Sequence, residues 1–303
     1  MKTVLIAGGT GLIGSHLSNL LQKNGYDVLH LSRKANPNAR FPAFEWDIEK
    51  GTIDESAVQR ADYVINLAGT GIAEKRWTKK QKQSIIESRV KSAHLLLQTF
   101  QKLNKNPKVY LSSAATGYYG NRGDELMYET SAPGKGFLTE SCLEWEKAIQ
   151  DVAATGIRTV GLRIGIVLSK KGGALQKMLI PLNFFLGTYF GNGQQWYSWI
   201  HIEDLCRIFQ FALETEQMQD FYNAVAPHPE TNKELTKQLV KASGKPALTL
   251  PVPSFVLRLL FGEMADTILF STKVASQKVE QAGFNFQHPK LYEALKDILK
   301  RKI

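Results

Sequence analysis

The feature that most limits how this chain can fold is a run of glycines set directly behind a short apolar strand. Thr3-Val4-Leu5-Ile6-Ala7 is followed by Gly8-Gly9-Thr10-Gly11-Leu12-Ile13-Gly14. An apolar stripe at helical spacing (Leu12, Ile13, His16, Leu17, Leu20, Leu21) starts inside the run and ends before Gly25, where a helix C-terminus is expected. Gly8 permits a tight strand-to-helix turn, Gly11 lets the backbone approach a pyrophosphate, and Gly14 lets the helix pack closely on the strand. The helix N-terminus adds N–H donors and positive potential. The spacing differs from the general dinucleotide fingerprint by one residue in its first gap. It predicts a βαβ unit with Gly8, Thr10, Gly11, Leu12, Ile13 and Gly14 in a phosphate-binding turn.

Four more runs read as strands: Asp27 to Ser32, Ala43 to Asp47, Tyr63 to Leu67 and Lys108 to Ser113. Their Val, Ile and Leu content, with little alternation, suits strands covered on both faces, so the fold class expected is α/β with a doubly wound parallel sheet. A long helix is expected from the cap Thr78 to Asn104, with Ile86, Val90, Ala93, Leu97 and Phe100 on its apolar face. Further on come a helix near Phe137 to Ala154, a strand near Arg158 to Leu168 and a helix beginning near Glu203. Residues 1–168, with 200–225 returning to them, are read as the dinucleotide-binding domain. Residues 169–199 are read as an irregular loop on the substrate side, and 226–303 as a smaller, mostly helical C-terminal cap.

The second strand ends in Leu31-Ser32-Arg33-Lys34, where a cofactor without a 2′-phosphate would meet an Asp or Glu. Here Ser32 and the planar fork of Arg33 suit a phosphate, which favours NADP(H) over NAD(H). Asp47 ends the third strand near the place of the adenine amino group. Asn66-Leu67-Ala68-Gly69 puts small residues where backbone must pass the cofactor, making Leu67, Ala68 and Gly69 contact candidates.

Composition narrows the class of partner. The 303 residues carry 38 Lys+Arg against 28 Asp+Glu, a formal charge of +10, which favours anionic ligands. The basic stretch from Lys75 to Lys108 lacks interleaved aromatics and a nucleic-acid motif, so it reads as a solvated helix face and no nucleic-acid partner is expected. Cys142 and Cys206 are too few to staple the fold or complete a zinc-finger set, and no metal site is expected. No stretch is long and apolar enough for a membrane span, and Met1 leads straight into a strand, so the expectation is a cytoplasmic protein without membrane association.

Beyond the glycine turn, the chain has Ser112-Ser113-Ala114-Ala115-Thr116-Gly117-Tyr118-Tyr119-Gly120 and Trp199-Ile200-His201-Ile202-Glu203-Asp204. Together these resemble the extended branch of the short-chain dehydrogenase/reductase superfamily, which contains nucleotide-sugar epimerases, dehydratases and reductases. Ala73-Glu74-Lys75-Arg76-Trp77-Thr78, Ser88-Arg89-Val90, Phe137-Leu138-Thr139-Glu140 and Trp145-Glu146 are similar to an atypical subgroup, an epimerase family of unknown substrate with its own C-terminal domain. The resemblance implies hydride transfer assisted by a Ser or Thr, a Tyr and a Lys. The Tyr-x-x-x-Lys pair is absent, and its expected place holds Phe137-Leu138-Thr139-Glu140-Ser141. Ala114 stands where the superfamily's catalytic Ser lies.

Tyr118 and Ser113 are therefore the candidate proton-handling groups, with no Lys beside the phenol. Ser112 and Arg89 are candidates for the cofactor, as is Arg163 for a phosphate or an anionic substrate group. Tyr119, Trp199 and His201 are candidates for the substrate side. The partner expected is a small molecule (a carbonyl, an alcohol or a nucleotide sugar) bound by a monomer or homodimer. A non-catalytic NADP(H) sensor is the alternative that the missing pair favours.

Overall fold

The computed structural model describes residues 2–73 and 75–300. Glu74 and residues 301–303 lie outside the described residues. The first half alternates as the apolar runs predict: β1 (Thr3–Ala7), α1 (Leu12–Lys23), β2 (Asp27–Ser32), β3 (Ala43–Asp47), β4 (Thr52–Ile53), α2 (Glu55–Arg60), β5 (Tyr63–Asn66), α3 (Lys79–Leu103) and β6 (Val109–Ala115). Then follow β7 (Leu126–Met127), α4 (Phe137–Ala153), β8 (Thr159–Ile164), β9 (Ile166–Leu168), α5 (Gly173–Leu182) and β10 (Leu186–Phe190). The chain continues through β11 (Trp196–Tyr197), β12 (Trp199–His201), α6 (Ile202–Glu214), β13 (Asp220–Ala224), β14 (Glu230–Thr231), α7 (Asn232–Ser243) and β15 (Leu248–Val252). It closes with α8 (Ser254–Phe261), α9 (Asp266–Leu269), β16 (Lys273–Val274), α10 (Gln277–Gln281) and α11 (Leu291–Lys300).

The main sheet runs β13-β8-β6-β5-β1-β2-β3-β4 and is parallel except for the antiparallel β3–β4 pair. Strand order reverses between β1 and β5, which opens a crevice at their C-terminal ends. One face of the sheet buries Val4, Ile6, Leu17, Leu21 and Phe209 beneath α1 and α6. The other buries Leu5, Leu29, Leu96, Phe100 and Ile149 beneath α2, α3 and α4. This two-sided cover explains why the strands read as continuous apolar runs.

Three expectations are corrected. On α3 the fully covered residues are Ile85, Ser88, Ser92, Ala93, Leu95, Leu96, Thr99 and Phe100, whereas Ile86, Val90 and Leu97 are half-buried. The sheet-facing stripe is polar near its start because Ser88 and Ser92 bond the β5 end. The strand expected over Arg158 to Leu168 breaks at Gly165, where a Cβ would lie 2.3 Å from the Ser198 carbonyl oxygen, and β9 leaves the main sheet to pair with β12. Residues 169–199 are not irregular. They hold α5, with Pro181 tolerated in its last turn, and β10, which pairs in parallel with β15.

The C-terminal residues 226–300 are mostly helical, and α7 and α11 pack around Leu168, Leu182 and Trp199. No described helix is long and apolar enough to cross a membrane. The basic stretch is partly paired: Lys82 with Glu263, Lys91 with Glu49 and Glu87, and Lys102 with Glu55.

Candidate functional site

At the end of β1, Gly8 takes φ +79°, and a Cβ there would meet the Leu67 carbonyl at 2.9 Å. The Gly11 N–H donates to the Gly8 carbonyl at 3.1 Å, and a Cβ on Gly14 would lie 2.4 Å from that same oxygen. The turn is thus pressed between β5 and its own helix. Gly11 caps α1 with no side-chain hydrogen bond, and Thr10 and Gly11 are exposed. The first N–H groups of α1, on Leu12, Ile13 and Gly14, are left for a ligand or solvent. A cradle this close to backbone, positive at its mouth, fits a pyrophosphate.

Gly9 shows a partner that the sequence reading missed. Its Cβ would lie 2.3 Å from the His30 ring, which is buried beneath the turn and bonded through Nε2 to Ser18 Oγ at 2.7 Å. Burial pushes the imidazole down to about 4, so it is neutral at pH 7. The available signal was a lone His in the apolar run Val28-Leu29-His30-Leu31.

Beyond β2, Ser32 is half-buried and Arg33 and Lys34 are exposed on the same rim. At the end of β3, Asp47 Oδ1 accepts from the Glu49 and Lys50 N–H groups at 3.0 and 3.1 Å, which holds the half-buried carboxyl below its ordinary range and caps a turn.

The β5 end is locked from behind. Asn66 is buried and donates to Ser92 Oγ and to Tyr110 Oη, each at 3.0 Å, while its Oδ1 accepts from the Ala68 N–H at 3.1 Å. Ser88 Oγ accepts from the Thr70 N–H at 2.9 Å. These bonds fix Leu67-Ala68-Gly69 along the crevice. The helical i,i+4 spacing of Ser88 and Ser92 was the sequence signal for this support. Arg89, one residue further round α3, lies across Gly69 and over the Trp145 ring, 4.8 Å from its centroid.

At the β6 end the expected roles divide. Ser112 is fully buried and donates to the Ser113 carbonyl, so it offers no surface to a cofactor. Ser113 is buried too, with its Oγ 3.3 Å from the Asn66 carbonyl. Tyr118 and Tyr119 lie on a 3-10 turn, Thr116–Tyr119, and their rings meet edge to face at 5.3 Å. Tyr118 is half-buried. Tyr119 is fully buried, donates to Asn223 Oδ1 at 2.7 Å and accepts from Arg163 Nη1 at 2.9 Å; burial pushes its phenol up to about 12. It belongs to the core rather than the substrate side.

Arg163 likewise reaches no phosphate site. It is buried and held bidentately by Glu146 at 2.8 and 2.9 Å, with its guanidinium 3.7 Å from the Tyr118 ring centroid. A cation therefore does lie beside that ring, from β8 rather than from α4.

Trp199 and His201 are also structural. Trp199 is fully buried and donates to the His228 carbonyl at 2.9 Å. His201 Nδ1 accepts from the Glu203 N–H and caps α6, and its ring stacks on His288 at 3.8 Å. Burial and the facing His288 hold His201 down at about 4. Among the described residues, His201, Glu203 and His288 are the one grouping at metal-ligand spacing. His201 Nδ1 is already used as the α6 cap.

At the place expected for the missing pair, Leu138, Thr139 and Cys142 meet the strand end: Cys142 Sγ is 3.7 Å from the Ala115 carbonyl oxygen, Thr139 Oγ1 donates to the Gly117 carbonyl at 3.2 Å, and the Leu138 and Cys142 side chains approach Gly117. Phe137 instead meets Trp77 at 4.8 Å. Burial pushes the Cys142 thiol up to about 12, so this face of α4 presents neither phenol nor cation.

The family model of the NAD dependent epimerase/dehydratase family matches residues 4–224, and a domain of unknown function, DUF1731, matches 252–298. Epimerase family protein SAR0825 of Staphylococcus aureus is 37% identical over 99% of this chain and 100% of its own length. The crystal structure of human epimerase family protein SDR39U1 (isoform 2) with NADPH superposes with a TM-score of 0.89 at 32% identity, covering 99% of this chain and 100% of that one. A nucleoside-diphosphate sugar epimerase from Corynebacterium glutamicum gives a TM-score of 0.79 at 31% identity, covering 98% of this chain and 58% of that one. With a Rossmann-type sheet, a glycine cradle at its switch point and matches along nearly its whole length, the chain belongs to the NAD dependent epimerase/dehydratase family, as an atypical extended short-chain dehydrogenase/reductase.

Proposed function

We propose that this protein binds NADP(H) and acts as an oxidoreductase on a small carbonyl or alcohol substrate. The observation that carries the reading is the uncapped N-terminus of α1 behind a turn in which Gly8, Gly9 and Gly14 have no room for a side chain. Arg33 and Ser32 on the β2 rim supply the fork and hydroxyl that suit a 2′-phosphate. The similarity to a human relative crystallised with NADPH supports the same choice.

The nicotinamide, when bound, supplies hydride chemistry. The protein's own part is to exclude water and handle one proton. Tyr118, half-buried on the turn after β6, donates its phenolic proton to the substrate oxygen and is held in place by the Arg163 guanidinium against its ring. Ser113, 3.3 Å from the Asn66 carbonyl, fixes the β6 end beside β5.

Purified protein with NADPH and a panel of aldehydes, quinones and nucleotide sugars tests this reading. Oxidation of NADPH by a panel member, lost at least ~100-fold in Tyr118→Phe with NADPH affinity retained, is the expected result. Unchanged turnover in Tyr118→Phe removes the phenol from the chemistry. The second reading, a non-catalytic NADP(H) sensor, is favoured by Leu138 and Cys142 on the α4 face. Tight NADPH binding with no turnover across the panel is its signature.

A further inference from the structure

Among the described residues, the large apolar side chains that are more than half exposed all lie in two stretches: Ile180 to Phe185 at the end of α5, and Leu248 to Leu260 along β15 and α8. Leu259 is 75% exposed, Phe184 and Phe255 72%, and Leu248 71%. The two stretches adjoin, because the Leu248 N–H donates to the Phe185 carbonyl at 2.9 Å and β15 leads through Pro253 into α8. In α8 Leu257 alone is buried, while Phe255 and Leu259, one helical turn apart, are left in solvent. Phe185 is held at φ +57°, in the left-handed region that is costly for a bulky side chain, and its ring gains no burial in return. Together these side chains expose on the order of 1,000 Å² of apolar surface, more than a monomer ordinarily leaves to water.

The charge around them has one sign. Residues 152–202 and 235–262, which carry both stretches, contain no Asp or Glu. Lys177 is exposed on α5 one turn before Ile180, and Lys245 Nζ reaches Asn183 Oδ1 at 2.8 Å, beside Phe184. The first acids beyond α8 are each paired, Glu263 with Lys82 and Asp266 with Arg258. We infer that this surface docks the protein onto an anionic lipid bilayer, with Phe184, Phe185, Phe255 and Leu259 entering the apolar boundary and Lys177 and Lys245 meeting the headgroups. A second copy seated face to face would set the basic rim against itself. The side chains also project from a turn and a short helix instead of lining a pocket that receives a partner's anchors. Peripheral docking needs no spanning helix, in keeping with the absence of one among the described residues.

Flotation of the full chain with two kinds of vesicle tests this: phosphatidylcholine alone, and phosphatidylcholine with phosphatidylglycerol in equal parts. The wild type is expected to float with the mixed vesicles and to partition at least ~10-fold less onto phosphatidylcholine alone. Phe184→Ser and Leu259→Ser are each expected to lower partition onto the mixed vesicles about tenfold, with thermal melting unchanged because both side chains are exposed. Phe255→Ser serves if either fails to fold. Lys245→Glu lowers partition by a similar factor, and the difference from wild type shrinks as salt is raised. A wild type that stays in solution with both vesicles, or floats equally with both, overturns the inference, as do serine variants that float like the wild type. A wild-type dimer that the serine variants split, with no flotation, assigns the surface to a second copy instead.

Discussion

The two sides of the crevice are built on opposite terms. On the β1–β2 side, bulk is removed: Gly8, Gly9, Gly11 and Gly14 strip side chains from the turn, α1 is left uncapped, and Arg33 stands exposed. On the β6–β8 side, bulk and charge are locked inward: Tyr119, Asn223, Arg163, Glu146 and the Glu129 carbonyl satisfy one another in a buried network. The first side is kept open for a ligand. The second spends its polar groups on the protein itself and leaves Tyr118 half-buried at the β6 end, resting on that network through Arg163. Under the proposed function, the open side binds the cofactor by general rules, while the locked side sets how rigidly Tyr118 is held.

The contrast is broken most severely at Glu146. Glu146→Ala leaves the Arg163 guanidinium buried without its carboxylate, and removing one partner of such a pair costs about 3–5 kcal/mol. Chemical denaturation is expected to show a loss of that size, with NADPH affinity of the folded fraction unchanged. A loss under about 1 kcal/mol would mean that the network does not hold the β6–β8 side together.

The next effect belongs to the open side and depends on pH. His30 titrates near 6.5 when unfolded but near 4 in the fold, so the unfolded chain takes up a proton that the native state refuses. Stability from this group is complete above about pH 6.5 and is lost as pH falls toward 4, by up to about 3 kcal/mol. Denaturation midpoints of His30→Gln measured across that window are expected to fall less steeply than those of the wild type. Parallel slopes would contradict a neutral His30.

Smaller still is Gly9→Ala, whose methyl meets the His30 ring. Overpacking of this kind costs about 1–3 kcal/mol. The same change is expected to lower NADPH affinity by shifting the turn, with thermal melting and titration run side by side. An unaltered melting temperature would show that the turn has slack.

Legibility in the sequence follows the same division. The cradle is written in consecutive residues: a strand, a glycine run and a helical stripe suffice to place β1, the turn and α1, and the apolar run that follows places β2. The doubly wound parallel class follows from the alternation of elements, while the strand order is seen in the structure. The β6–β8 side is written in partners far apart in the chain. Tyr119 meets Asn223 across 104 residues and Arg163 across 44, and no local pattern announces either contact. Tyr119, Trp199 and His201 therefore read as available side chains when they are buried ones. Which residues of Phe137–Ser141 meet the strand end is likewise settled by what the helix packs on, and Gly117 and Ala115 are met by Leu138 and Cys142. His30 and Gly9 show the converse: each looked ordinary alone, and their contact explains both.

The claim on which the account turns is that the open side takes NADP(H) through Arg33. Calorimetric titration of NADPH and NADH into the wild-type protein and Arg33→Asp tests it directly. The account predicts that the wild type prefers NADPH and that Arg33→Asp loses NADPH affinity at least ~10-fold more than NADH affinity, because the substitution removes a charge-assisted fork and repels the 2′-phosphate. Equal affinities in the wild type, or equal losses of both nucleotides in the variant, would contradict it.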